Sequence, residues 1–250
     1  MKKDDPRHVY SKVLDILPGI NFTYKVNPKT NIRVAASQTV IRPEFREISS
    51  FAFFDFELGA TILGNPSLQR TKITNIDLRY ELYPGAGELI TIGAFYKYFK
   101  SPIELYFNQS GVGTSSTFNY LNADNAVGYG LELELRKKLT FIPALKNATV
   151  YSNLSYIQND VKDSKANINR PMQGQSPYVI NVGFQYDVEK IGLNTTLLFN
   201  QIGRRILYVG NEQVPAIWEN PRPLLDFQVA KKLLKNKGEV KLNIADILNK

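Results

Sequence analysis

Apolar residues recur at every second position through much of this chain, and that period limits the fold more than any other feature. In Asn75-Ile76-Asp77-Leu78-Arg79-Tyr80-Glu81-Leu82 every second residue is apolar and the intervening ones are polar or charged. Tyr129-Gly130-Leu131-Glu132-Leu133-Glu134-Leu135-Arg136, Ile20-Asn21-Phe22-Thr23-Tyr24-Lys25-Val26 and Ile180-Asn181-Val182-Gly183-Phe184-Gln185-Tyr186 do the same. Strand side chains point alternately to opposite faces, so each segment reads as a strand with one apolar and one polar face. A helix would need apolar residues three and four apart. The pattern predicts ten strands, over 20–26, 31–40, 71–83, 88–99, 127–138, 148–157, 178–186, 191–201, 223–232 and 239–245. Leu225, Val229 and Leu233 also fit helical spacing, so a short helix competes for the ninth.

The connections alternate between short and long. Compact links at 27–30, 84–87, 139–147, 187–190 and 235–237 interleave with long ones at 41–70, 100–126, 158–177 and 202–222. In an up-and-down meander this puts tight turns at one end and long loops at the other. A compact water-soluble domain has little use for four such loops. A membrane β-barrel has short periplasmic turns and long extracellular loops. The expected fold class is therefore all-β: an antiparallel up-and-down transmembrane β-barrel, partial, of about ten strands. No apolar run exceeds the four residues of Phe51–Phe54 and Ile206–Val209, far below the roughly 20 of a spanning helix. Closed barrels satisfy backbone groups in a bilayer by the other route. Tyr80, Tyr83, Tyr96, Tyr98, Phe99, Tyr129, Tyr156, Tyr178 and Tyr186 fall on the strands, many near strand ends, where a phenol reaches the headgroup layer. The same rings would also fill a β-sandwich core; the alternating loops favour the barrel.

Catalytic chemistry has little to stand on. The 250 residues contain no cysteine and one histidine, His8, in a polar N-terminal segment, which argues against thiolate sites, multi-His metal sites and a Ser-His-Asp triad. Gly111-Val112-Gly113-Thr114-Ser115-Ser116 lacks the Gly-Lys-Ser/Thr ending of a phosphate loop and reads as a surface loop. Glu132 and Glu134, followed by Arg136, read as a hydrated charge ladder on the polar face. Glu44, Glu47, Asp55 and Glu57 in the first long loop fit solvation better than a cation site. The net charge of +8 invites nucleic acid as a partner, but Lys and Arg are spread along the chain rather than gathered on one surface. No nucleic-acid partner and no cofactor is expected.

Several stretches resemble the C-terminal half of the barrel of TonB-dependent outer-membrane receptors, Bacteroidetes-type sequences especially. They are Asn31–Glu47 with its Arg42-Pro43 step, Gly64-Asn65-Pro66-Ser67-Leu68, Ala94-Phe95-Tyr96-Lys97-Tyr98-Phe99-Lys100-Ser101-Pro102-Ile103-Glu104, Gly128–Glu134, and Leu242-Asn243-Ile244-Ala245-Asp246-Ile247-Leu248-Asn249. Each is weak alone, but the five keep their order over residues 10–249. Gln69-Arg70 departs from the usual Lys-Pro. The resemblance implies a non-enzymatic outer-membrane receptor that takes up a scarce nutrient, an iron chelate first among candidates. It implies outer-membrane lipid as surroundings and coupling to the TonB complex through an N-terminal plug that lies outside these residues. It implies further strands too, so the 250 residues are expected to be a piece of a larger barrel. A passive porin is the main rival, and a soluble β-rich glycan- or nucleic-acid-binding domain the weaker one. Candidate ligand residues are Arg42, Arg46, Arg204 and Arg205 near the strand-to-long-loop junctions, and Trp218. The arginines suit an anionic ferric chelate, acidic lipopolysaccharide or plain loop solvation. Trp218 suits stacking on a ligand or pinning its loop to the rim.

Overall fold

The computed structural model describes residues 13–109, 116–164, 169–234 and 237–249. All ten predicted strands form. They are β1 (Gly19–Asn27), β2 (Thr30–Ile41), β5 (Thr71–Leu82), β6 (Leu89–Lys100), β9 (Asn125–Lys138), β10 (Ala148–Lys162), β11 (Tyr178–Val188), β12 (Leu193–Ile202), β15 (Leu224–Leu233) and β16 (Gly238–Ile244). They join in that order into one ten-stranded sheet, every neighbouring pair antiparallel. Successive strands are therefore adjacent, and long and short connections emerge at opposite ends. The sheet is open: β1 pairs only with β2 and β16 only with β15. The region 224–233 is a strand rather than a helix, because its backbone bonds to β12 on one side and β16 on the other.

Register aligns the apolar positions across the sheet. One row runs Phe22, Val34, Leu78, Ala94, Leu131, Tyr156, Tyr178. A second runs Tyr24, Ile32, Tyr80, Ile92, Leu133, Leu154, Ile180, and Phe184, Leu197, Phe227 and Ile244 carry the same face onward. Many of these side chains are bare: Phe22 is 61% exposed, Leu131 60% and Tyr156 61%. A water-soluble monomer does not leave so broad an apolar face uncovered; a bilayer covers it. The opposite face carries the row Asn31, Glu81, Thr91, Glu134, Asn153, Asn181, Asn200. On it Glu81 forms an ion pair with Arg33, whose Nε lies 2.8 Å away, and accepts hydrogen bonds from Asn31 Nδ2 at 3.3 Å and the Tyr83 hydroxyl at 3.0 Å. Glu132 lies there as well, opposite Gly93 and Ser155. Gly183 on this face admits the Tyr151 ring across the strand, since a Cβ at 183 would lie 2.1 Å from ring atoms. Two aromatic positions depart from the expected girdle. Tyr83 turns to Glu81 on the polar face, and Phe99 packs against the cluster of Ala123, Ala126 and Val161.

The long connections correct the expectation of plain loops. The first holds the hairpin β3 (Ala52–Asp55) and β4 (Ala60–Leu63), the second β7 (Ile103–Gln109) and β8 (Ser116–Asn122), the fourth β13 (Arg205–Tyr208) and β14 (Ile217–Glu219). The third begins only after Lys162. β10 runs beyond its predicted end because Val161, fully buried, pairs with Ala126 and bridges to Arg170. Among the described residues, all three buried apolar clusters lie at this end. Among the described residues the packed interior lies in the long connections rather than in the wall. His8 and Gly111–Ser115 lie outside the described residues.

Candidate ligand-capture face

The four long connections are built into one layer. Strand β4 runs parallel to β8, pairing Thr61, Ile62 and Leu63 with Thr117, Phe118 and Asn119, which gives the sheet β3-β4-β8-β7. Tyr106 of β7 bridges to Val209, which follows β13; Phe107 N donates to Val209 O at 2.7 Å and Val209 N to Leu105 O at 3.0 Å. Three connections thus share backbone bonds. Beneath them, Ala60, Ile62 and Phe118 are buried against Phe53, Phe107 and Tyr208, and Tyr106, Ile206 and Val209 form a second cluster.

The third connection is tied in by ions. Arg170 meets Glu104 with both ends of its fork, Nη1 to Oε1 at 3.0 Å and Nη2 to Oε2 at 2.6 Å. Nη2 also donates to the Tyr106 hydroxyl at 2.9 Å and to Asp163 at 3.2 Å, and Tyr106 donates a short bond to Asp163. The three ionic side chains are almost completely enclosed, Arg170 at 6%, Glu104 at 2% and Asp163 at 0% exposure. A planar guanidinium against a carboxylate is the geometry that best repays desolvation. Burial, then the bond to Asp163, push the Tyr106 phenol above its ordinary range, so it stays a donor. Burial opposes the Arg170 charge, but Glu104, Tyr106 and Asp163 together outweigh it and hold the guanidinium protonated. Gln173 completes the knot: its backbone N donates to Glu104 at 2.8 Å, its side-chain oxygen accepts from Leu105 N at 2.6 Å, and its amide donates to Leu207 O at 2.6 Å.

Two sequence motifs acquire physical reasons here. Gly64 has no side chain because the backbone of the same loop crosses it; a Cβ would lie 2.3 Å from Ser49 O and 2.7 Å from Arg46 O. Asn65 then ties the first loop to the second by donating to Tyr120 O at 3.0 Å, while its own oxygen closes a turn on Ser67 N at 3.0 Å. In the Ser101-Pro102-Ile103-Glu104 stretch, Ser101 takes φ +56° and Glu104 enters the ion network. Glu47 and Asp55, from the acidic group in the first loop, serve as turn acceptors, for Glu44 N and for Glu57 and Leu58 N. Among the described residues no three His, Cys, Asp or Glu side chains gather as a metal would need.

The five candidate ligand residues separate into groups. Arg204 lies over the Trp218 ring at 4.9 Å, and Arg205 Nε pairs with Glu219 at 2.5 Å, so these three meet on the β13–β14 hairpin. Trp218 keeps 37% of its surface exposed. Arg46 lies over the Phe53 ring at 5.5 Å in the first loop. Arg42 reaches Asp15 at 3.2 Å, at a rim cavity away from the hairpin. Neither Glu104 nor Arg170 is among the five.

Comparison with known proteins agrees with this architecture. The family described as outer membrane protein beta-barrel family matches residues 2–250. Comparison with curated proteins gives no match. Among solved structures, the chain is similar to the siderophore receptor PirA from Acinetobacter baumannii, with TM-score 0.64 and 14% identity over 94% of this chain and 37% of that one. It is similar to the ferric enterobactin receptor PfeA from Pseudomonas aeruginosa, with TM-score 0.61 and 14% identity over 93% and 34%. It is similar to the copper transporter OprC, with TM-score 0.67 and 14% identity over 93% and 33%. At that identity the likeness is one of fold, and the chain spans about a third of the length of those proteins.

Proposed function

The chain belongs to the outer membrane protein β-barrel family, and from that premise we propose that it is the wall and outer face of a receptor that captures a scarce nutrient at the cell surface. The observation that carries the reading is the loop layer. Four connections joined by shared strands and a buried Arg170–Glu104 pair present an ordered surface, which suits selective capture. The open edges of β1 and β16 leave unpaired backbone groups, costly in lipid. They support a larger barrel in which residues 1–250 are the C-terminal part and further strands complete the closure. In the full protein a plug domain would fill the lumen and couple to TonB, with no enzymatic step and no bound cofactor.

The ligand class follows from the likeness to receptors for ferric enterobactin and other siderophores. An anionic iron chelate also suits exposed Arg204 and Trp218, which present a cation and an aromatic face together. Arg205 beside them is held by Glu219, and Arg46 lies over Phe53 in the first long connection. The test is uptake of radiolabelled ferric enterobactin and of copper by cells expressing the full-length receptor as their only such protein, with and without the inner-membrane energy source. The reading requires energy-dependent accumulation of the iron chelate, weakened by Arg204→Ala with Trp218→Ala. Energy-independent passage of unrelated small solutes would make it a porin instead.

A further inference from the structure

We propose that the lipid-facing rim at the β2–β5–β6 end carries a binding site for the phosphorylated headgroup of an outer-leaflet glycolipid. The site follows from strand parity. Val40, Lys72 and Lys100 lie directly opposite one another on β2, β5 and β6. They continue the apolar face: Lys72 shares parity with Ile76, Leu78 and Tyr80, and Lys100 with Tyr96 and Tyr98. At a rise of about 3.4 Å per residue, Lys100 sits roughly 7 Å beyond Tyr98 on the lipid side. That is where the aromatic girdle ends and headgroups begin. It is also the long-loop end, which faces the outer leaflet.

Among the described residues, the charge is only partly compensated. Arg42 and Arg70 join the two lysines around a cavity of about 620 Å³. Asp15, 3% exposed, pairs with Arg42 at 3.2 Å and Arg70 at 2.8 Å and so orients both arginines. Lys72 and Lys100 have no acidic partner among the described residues. Two cations without a counter-charge at a lipid boundary call for an anion. The remaining wall is mostly apolar, with Val13, Pro43, Ile48 and Leu68 beside Gln69 and Ser101. A free phosphate has no use for that surface, whereas an acylated sugar phosphate covers both parts. The site is independent of whatever ligand the loop layer captures, and it assigns Arg42 to lipid rather than to that ligand.

The test uses the full-length receptor in detergent micelles, delipidated, with fluorescent lipid A as probe. Lys72→Gln with Lys100→Gln should weaken binding roughly 30-fold, at about fivefold per cation at a lipid surface. Lys72→Arg with Lys100→Arg should retain it. Dephosphorylated lipid A should bind the wild-type protein at least tenfold more weakly, a comparison that needs no variant to fold. Inorganic phosphate at millimolar concentration should not compete. Equal binding of both lipid forms, equal binding by the glutamine variant, or full displacement by inorganic phosphate would each overturn the site. Uptake of ferric enterobactin by the glutamine variant, run in parallel, reports on the capture reading separately.

Discussion

Replacing Arg170 by methionine should unlock the loop layer while leaving the wall intact. The substitution keeps much of the side-chain length but removes the charge between Glu104 and Asp163. Two enclosed carboxylates, at 2% and 0% exposure, then lose the guanidinium that reaches them at 2.6 and 3.2 Å. Removing one partner of a buried pair costs about 3–5 kcal/mol, and both partners of this pair lie outside the ten-stranded sheet. The cost should fall on local opening of the loops. Hydrogen exchange in the full-length protein reads this at Phe107 and Val209, whose amides join the second and fourth connections at 2.7 and 3.0 Å. Their protection should drop by roughly 10²–10³-fold, while amides within the β5–β6 ladder keep theirs. Adding Glu104→Leu should recover part of the loss, because it removes one orphaned charge. A change below about tenfold, or an equal loss throughout the sheet, would refute the claim that this pair locks the layer.

Leu78→Arg places a charge mid-strand on the lipid-facing row and should cost about 2–4 kcal/mol in a bilayer folding titration; a neutral result would count against lipid there. Gly64→Ala should loosen the first long connection, because the added Cβ meets Ser49 O at 2.3 Å, and limited proteolysis should then cut within 42–70 before any other loop. The pH response of the layer has a sign. The Tyr106 pKa is raised in the folded protein, so the folded state holds a proton that the unfolded tyrosine loses near pH 10. Its stabilisation is complete below that pH and is lost as pH rises through the folded value. Near-ultraviolet circular dichroism should therefore show the wild-type layer weakening in alkali more steeply than Tyr106→Phe. Parallel titration curves would remove Tyr106 from the linkage.

The wall was legible because membrane strands have two chemically opposite faces, and a period of two survives in segments such as Asn75–Leu82 whatever surrounds them. The alternation of link lengths then set the two ends. The loop layer was not legible for a different reason. Its pairings join residues remote in sequence, with Thr61 to Leu63 against Thr117 to Asn119 and Arg170 against Glu104, 66 positions away. No local pattern announces such a contact. Glu104 stood in a recognisable stretch, but nothing in the sequence tells a solvated glutamate from one enclosed by an arginine of another loop. Strand parity also places Lys72 and Lys100 on the face of the apolar rows.

The receptor reading requires all long connections to face the cell exterior and all tight turns to face inward. The chain contains no cysteine, so single substitutions report without background. Glu57→Cys and Glu212→Cys lie in long connections, Ala86→Cys and Lys190→Cys in short ones, all at exposed positions. In intact cells expressing the full-length protein, a bulky membrane-impermeant maleimide should label positions 57 and 212. Positions 86 and 190 should react only after the outer membrane is opened. Labelling of 86 or 190 in intact cells, or protection of 57 and 212, would contradict the two-ended architecture on which the receptor reading depends.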